Sequence, residues 1–153
     1  MREREREVTV PEHFGEGLAS VRSGEVMHLD LRFESVHEGI LATVEASMDY
    51  HAECGRCLTE FTSPLKVEFV ELFAYTLTEA DEYGVHGDHV NLEPPLRDAI
   101  VLALPFQPVC RPDCLGLNPK TGEPLTVEDL AEADEDIDPR WAALSEFQAD
   151  KTD

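Results

Sequence analysis

The sequence predicts a single α+β domain: an antiparallel β-sheet with one principal helix over about residues 94–104, a possible four-cysteine metal clasp and a C-terminal helix. Three observations carry this prediction. Apolar and polar residues alternate strictly from Met27 to Phe33 and again from Ala42 to Tyr50, the period of strands with one buried face. A helical stripe then follows a double proline at Pro94-Pro95. Finally, 153 residues are enough for one domain with a real core and too few for two comfortable ones.

The chain divides into residues 1–25, a loose N-terminal arm; 26–125, the α+β core with both cysteine pairs; and 126–153, an acidic linker with a C-terminal helix. The arm has alternating charge, then Gly15, Gly17 and Gly24, with weak apolar periodicity; at most it adds a short edge strand. Met27, Leu29, Leu31 and Phe33 form the buried face of a first core strand. After His37-Glu38-Gly39, Ala42, Val44, Ala46, Met48 and Tyr50 form that of a second, so the two pair as an antiparallel hairpin. Leu58 to Thr62 predicts a short strand, Ser63-Pro64 a turn, and Leu65 to Phe73 a longer strand with Leu65, Val67 and Phe69 on one face. Residues 76–89 are polar, acidic and glycine-containing, as in a mobile surface loop, and Val90 to Leu92 offers one more short strand.

Proline is tolerated in a first helical turn because its missing N–H would have had no partner there. Leu96, Ala99, Ile100, Ala103 and Leu104 then make one apolar stripe, which Pro105 ends. The helix returns the chain to Cys110. Thr126 is placed to cap a short helix over 127–133. Asp134 to Asp138 is a charge run without a basic residue, read as a solvated linker. Asp138-Pro139 opens a C-terminal helix whose edge is Trp141, Leu144 and Phe147 or Gln148, expected to dock back or to bind a partner.

All four cysteines fall in two pairs, Cys54-Gly55-Arg56-Cys57 and Cys110-Arg111-Pro112-Asp113-Cys114. A C-x2-C loop spaces two thiolates as ligands of one tetrahedral zinc, and a second pair supplies the other two. Zinc ribbons separate their pairs by roughly 15–20 residues; here more than fifty intervene, so a metal site must close over the sheet and helix between. Arg56 and Arg111, inside the loops, would moderate the charge of four thiolates or be ordinary surface arginines.

Two other readings of the cysteines stand beside structural zinc. One is thiol-disulfide exchange, which usually places its C-x-x-C at a helix N-terminus, whereas strands flank this pair. The other is burial as small hydrophobes. His51-Ala52-Glu53 has the letters of a zinc deaminase motif, but Glu53 abuts Cys54, whereas those enzymes hold the two elements on separate helices. His51 as a strand-end surface residue is preferred to His51 as a substitute ligand, and His86 and His89 as solvated side chains to a metal pair. No G-x-S-x-G, phosphate loop or H-E-x-x-H occurs, and nothing argues for an enzyme.

Charge constrains partners. With 12 basic residues against 33 acidic, the formal net charge is −21. Nucleic-acid binding is driven largely by basic side chains displacing counterions, so extensive direct contact with nucleic acid is disfavoured and a basic protein partner favoured. No apolar run reaches bilayer-spanning length, and Met1 to Glu7 lacks the apolar core of a signal peptide, so a cytoplasmic location is expected. In a reducing compartment paired cysteines lean toward metal or redox chemistry.

Leu29-Asp30-Leu31 through Glu38-Gly39, Cys54-Gly55-Arg56-Cys57-Leu58, Val70-Glu71-Leu72-Phe73, Leu92 to Pro105, Cys110, Cys114 and Asp138-Pro139-Arg140-Trp141-Ala142 together resemble the YceD family, the large ribosomal RNA subunit accumulation proteins. The resemblance implies a non-enzymatic bacterial factor, with chloroplast relatives, needed for accumulation of 23S rRNA. In many bacteria its gene lies beside that of a small basic ribosomal protein. That fits an acidic protein acting on a basic ribosomal protein or a pre-50S particle; a thiol-disulfide redox protein and a direct RNA-binding module are the alternatives. Many relatives carry a further cysteine pair in a Gly-Leu-Cys-Pro-x-x-Cys-Gly run, where this chain reads Gly116-Leu117-Asn118-Pro119-Lys120-Thr121-Gly122. If relatives bind metal through that pair, this chain lacks the site; if they bind through Cys54, Cys57, Cys110 and Cys114, Asn118 and Thr121 are harmless. The second is expected, because two isolated pairs kept without a metal would be a coincidence.

Overall fold

A computed structural model describes residues 1–78, 82–131 and 140. Among the described residues seven strands form one sheet: β1 (Arg2–Thr9), β2 (Ala19–Ser20), β3 (Val26–Ser35), β4 (Gly39–Glu53), β5 (Glu60–Ala74), β6 (Tyr83–His86) and β7 (His89–Val90). The order is β1-β3-β4-β5-β6-β7, with β2 beside the far end of β4. Helices α1 (Glu93–Ala103) and α2 (Val127–Ala131) complete the described elements. Among the described residues no helix is long and apolar enough to cross a membrane.

The alternating pattern of the central strands is realised residue by residue. Met27, Leu29 and Leu31 of β3, Val44, Ala46 and Met48 of β4 and Leu65 and Val67 of β5 share the buried face. Leu96 and Ile100 of α1 join the same cluster, each contributing roughly 1.5–3 kcal/mol by leaving water. Leu104 packs at its edge, whereas Ala103 is exposed, so the helical stripe is narrower than its sequence period. In the N-terminal turn of α1 Pro94 and Pro95 are the second and third residues, and the Glu93 amide donates to Asn91 Oδ1 at 3.1 Å.

Four expectations are corrected. The first 25 residues are not a loose arm: β1 pairs with β3 from Arg2↔Phe33 to Thr9↔Val26, and Val10, Phe14 and Val21 belong to the core. Phe14 is held from outside by Arg97 of α1, whose guanidinium lies 5.2 Å from the ring centroid and pairs with Glu12 and Glu93. Weak periodicity concealed this because the core residues stand singly, four and seven positions apart.

Second, Ser63-Pro64 does not break the strand. The Tyr75 amide donates to the Glu38 carbonyl and that of Cys54 to Thr59, both at 3.0 Å, which fixes the alternation of inward amides along β5. Pro64, opposite Asp49, falls on an outward position, and β6 covers only Phe73 and Ala74. Its missing N–H therefore faces an open edge.

Third, the sheet is mixed. β5 and β6 run parallel through Phe73↔Tyr83 and Ala74↔Gly84, and β6 turns back into β7 through His86↔His89. The predicted loop over 76–89 thus contains strands, and the strand expected over 90–92 starts at His89. Two-residue pairings are too short to leave a period in the sequence.

Fourth, the chain divides at the last cysteine into Met1–Cys114 and Leu115–Asp153, not at residue 125. In the second unit Leu117 bridges Pro124, and Thr126 caps α2 reciprocally: its hydroxyl accepts from the Asp129 amide at 3.3 Å, while Asp129 accepts from the Thr126 amide at 2.7 Å. The charge run 134–138 and the helix expected around Trp141, Leu144 and Phe147 lie outside the described residues.

Candidate functional site

β4 ends at Glu53, and the next six residues reverse the chain into β5. The Cys54 amide donates to the Thr59 carbonyl at 3.0 Å and the Leu58 amide to the Cys54 carbonyl at 2.9 Å. Leu58 takes a left-handed φ of 58° to close the turn, and the Arg56 amide donates to Cys54 Sγ at 3.4 Å. This tight turn lifts two thiols onto one side of the strand junction.

The second cysteine segment is tied to the first. The Gly55 amide donates to the carbonyl of buried Pro108 at 2.8 Å, so the chain leaving α1 is anchored two residues before Cys110. Arg56 Nη1 donates to the carbonyls of Pro112 at 3.2 Å and Cys114 at 3.0 Å. Arg56 is therefore a link between the loops and not a free surface arginine, whereas Arg111 pairs locally with Asp113 at 3.4 Å.

All four sulfurs lie within 4.8 Å of one another. Cys54 Sγ and Cys114 Sγ are 3.8 Å apart, and Cys57 Sγ and Cys110 Sγ 3.7 Å. A tetrahedron with Zn–S bonds of 2.3 Å has edges of about 3.8 Å. No disulfide joins the cysteines, and these separations far exceed a disulfide's roughly 2.05 Å. Three of the four are buried and Cys110 is partly so, which closes the cluster to bulk water. The donor set and spacing thus fit a tetrahedral metal ion with four thiolates.

The surroundings already favour ionisation on one side. The backbone amide of Cys110, followed by those of Cys57 and Arg56, holds the Cys54 thiol down to about 6 against the opposing effect of burial. Thr59, through its hydroxyl and then its amide, lowers Cys57. Burial, and then the neighbouring thiols, push Cys110 up to about 12. Opposed shifts in one cluster are what crowding several ionisable groups around a point produces: some thiolates form readily and the last is resisted until a cation arrives.

His51 is elsewhere engaged. Its Nε2 meets Glu25 Oε1 at 2.5 Å and its Nδ1 the Thr62 hydroxyl at 3.1 Å. His86 and His89 face each other as a strand pair, with His89 3.4 Å from Asp88. Neither histidine set belongs to the cysteine cluster.

Sequence reasoning missed a second turn of the same design. The Asn118 amide donates to the Glu123 carbonyl at 2.7 Å and the Gly122 amide to the Asn118 carbonyl at 2.8 Å, while the Lys120 amide donates to Asn118 Oδ1 at 2.9 Å. These are the three bonds, at the same residue offsets, that shape the turn at Cys54. Gly122, with φ 75°, stands where Leu58 stands. Asn118 Oδ1 also accepts from the Thr121 amide at 3.3 Å, so an amide oxygen occupies the acceptor role of a cysteine sulfur. The signal was present in Pro119 and Gly122 but is legible only by hydrogen-bond pattern.

Comparison with known proteins finds a family and relatives. The family model described as "Large ribosomal RNA subunit accumulation protein YceD" matches residues 42–148. An uncharacterized protein of Mycobacterium tuberculosis (strain ATCC 25618 / H37Rv) is 43% identical over 150 residues, spanning 94% of this chain and 72% of that protein. An uncharacterized protein of Mycobacterium leprae (strain TN) is 38% identical over 150 residues, spanning 92% and 69%. No solved structure matches. With the family model covering most of β4, both cysteine pairs and α1, and relatives this similar over nearly the whole chain, the protein belongs to the YceD family.

Proposed function

We propose that the protein is a non-enzymatic factor for assembly of the large ribosomal subunit and accumulation of 23S rRNA, working in the cytoplasm through a basic ribosomal protein or a pre-50S particle. The family match over residues 42–148 carries this reading. In it, Cys54, Cys57, Cys110 and Cys114 hold a structural zinc. Four protein ligands leave no open position for a substrate, which is the arrangement of structural and not catalytic zinc.

The sheet supports a basic partner. On the face away from the core, Glu5, Asp30, Glu45 and Glu68 stand directly opposite one another across four adjacent strands. Like charges placed so are destabilising; the basic side chains beside the row, Lys66 bonded to Glu45 at 2.8 Å and Arg32 bonded to Glu34 at 3.0 Å, are fewer than its carboxylates. A polypeptide bringing lysines and arginines relieves this repulsion, and its attachment weakens with salt.

The test is affinity capture of the tagged protein from cells, before and after ribonuclease. A basic large-subunit protein retained through ribonuclease and released by salt supports the reading; loss of all partners on ribonuclease treatment overturns it. Metal analysis of protein purified without added zinc tests the centre separately: stoichiometric zinc with unreactive thiols is expected. Metal-free protein with a fast-reacting thiol would favour redox chemistry instead.

A further inference from the structure

β1 is the outer strand of the sheet, and its two faces differ in sign. Glu3, Glu5 and Glu7 stand opposite Arg32, Asp30 and His28, on the face away from the core. Arg2, Arg4 and Arg6 stand opposite Phe33, Leu31 and Leu29, on the face that elsewhere builds the core. All of β1 is exposed, so the core stops short of it and the three guanidiniums line an open groove of about 710 Å³. Leu31, Phe33 and Ile40 lie along this groove, and Tyr75 and His89 stand in its wall. The Tyr75 hydroxyl is fixed to Ser35 Oγ at 2.8 Å, which holds the ring in place.

In a chain with 33 acidic residues, three arginines without carboxylate partners are unexpected. Among the described residues Arg2, Arg4 and Arg6 make no ion pair and no side-chain hydrogen bond, although Asp88 lines the same groove. Their same-face positions recur at roughly 7 Å, a spacing suited to successive phosphates of an extended single strand. Grooves that bind single-stranded nucleic acid combine such a cationic track with aromatic surfaces on which bases stack. Arginine serves both phosphate and base contact through its planar fork.

We propose that this groove binds a short single-stranded RNA segment, Arg2, Arg4 and Arg6 holding phosphates while Tyr75 and Phe33 take bases. The apolar, aromatic lining favours RNA over an acidic peptide, which offers charge but no flat rings. The overall negative charge confines attraction to the groove itself, since screening at physiological salt acts within about 8 Å. The contact is local, and it lies on the opposite face of the sheet from the Glu5–Asp30–Glu45–Glu68 row, so it stands or falls independently of the protein-partner reading.

Fluorescence anisotropy of a labelled oligouridylate with the full chain, over a salt series, tests it. Three phosphate contacts predict a slope of log K against log salt of about −2, at about 0.7 per phosphate for a single strand. Arg2→Gln, Arg4→Gln and Arg6→Gln combined should lower affinity at least tenfold and flatten the slope, while the triple lysine variant keeps it. Tyr75→Ala should weaken binding without changing the slope, and serves if the glutamine variant fails to fold. No binding at low salt, an unchanged glutamine variant, or equal binding of polyglutamate overturns the proposal. So does a glutamine variant that only self-associates, because the arginines would then serve to keep an edge strand from pairing.

Discussion

Breaking the cysteine cluster should cost far more than its four side chains suggest, because it joins distant parts of the chain. Cys54 and Cys114 are 60 positions apart and Cys57 and Cys110 are 53. A crosslink across 60 residues restricts the unfolded chain by about 4 kcal/mol on the loop-entropy model. Apparent zinc-binding free energies of about 10–16 kcal/mol match or exceed the whole stability of an ordinary domain. The 4 kcal/mol is therefore a floor, and at about 4 °C per kcal/mol it lowers Tm by roughly 15 °C. The loss should be uneven. β4 and β5 run side by side for 15 residues each over the core, whereas the turn at Cys54 and the 105–114 segment depend on a few bonds. Thermal unfolding by circular dichroism with and without a strong chelator, and of Cys114→Ser, gives the shift; hydrogen exchange locates it at residues 54–59 and 105–114. If purified protein keeps its Tm in chelator and Cys114→Ser costs under about 1 kcal/mol, the cluster is not a metal clasp and the loop argument is wrong.

Three further outcomes follow from the same geometry. Arg56→Ala removes both bonds from the first loop to the Pro112 and Cys114 carbonyls; exposure limits the loss to about 1 kcal/mol, yet metal release to a chromogenic chelator should quicken several-fold, and an unchanged rate would show the link to be idle. Leu58→Gly relieves a left-handed residue whose side chain is half exposed, so Tm should rise by the equivalent of about 1 kcal/mol instead of falling. In metal-free protein, the lowering of Cys54 contributes stability that is full above the ordinary thiol value of about 8.5 and is lost as pH falls through about 6. The raising of Cys110 contributes below about 8.5 and is lost as pH climbs toward about 12. Metal-free stability should thus peak in the mildly alkaline range, and a Tm-against-pH series in chelator that is flat from 6 to 10 would contradict both shifts.

The central sheet and α1 were legible because one side chain in two, or one in three to four, reported burial at successive positions of one face. Met27 to Leu31, Val44 to Met48 and Leu96 to Ile100 are such stretches, and each is core. Where a residue's place depends on a distant partner, no local period announces it. Val10, Phe14 and Val21 enter the core one at a time, without a shared period, β6 joins β5 through two residues, and Pro64 is acceptable in a strand only because its nitrogen faces an open edge.

The site was legible in its ligand types and not in what positions them. Four cysteines name a donor set, but Arg56 spanning two carbonyls and Pro108 holding Gly55 are tertiary facts with no sequence signature. The second turn sharpens the point. Counting cysteines suggests that a binding loop is missing at 118–121, yet the turn persists with its bonds at the same offsets, because the backbone amides require an acceptor and a left-handed fifth residue rather than sulfur. Asn118 supplies the acceptor and Gly122 the backbone conformation at little strain. The shape of such a turn and its capacity to bind metal are therefore separable: Cys54 to Thr59 has both, while Asn118 to Glu123 keeps the shape without the thiols.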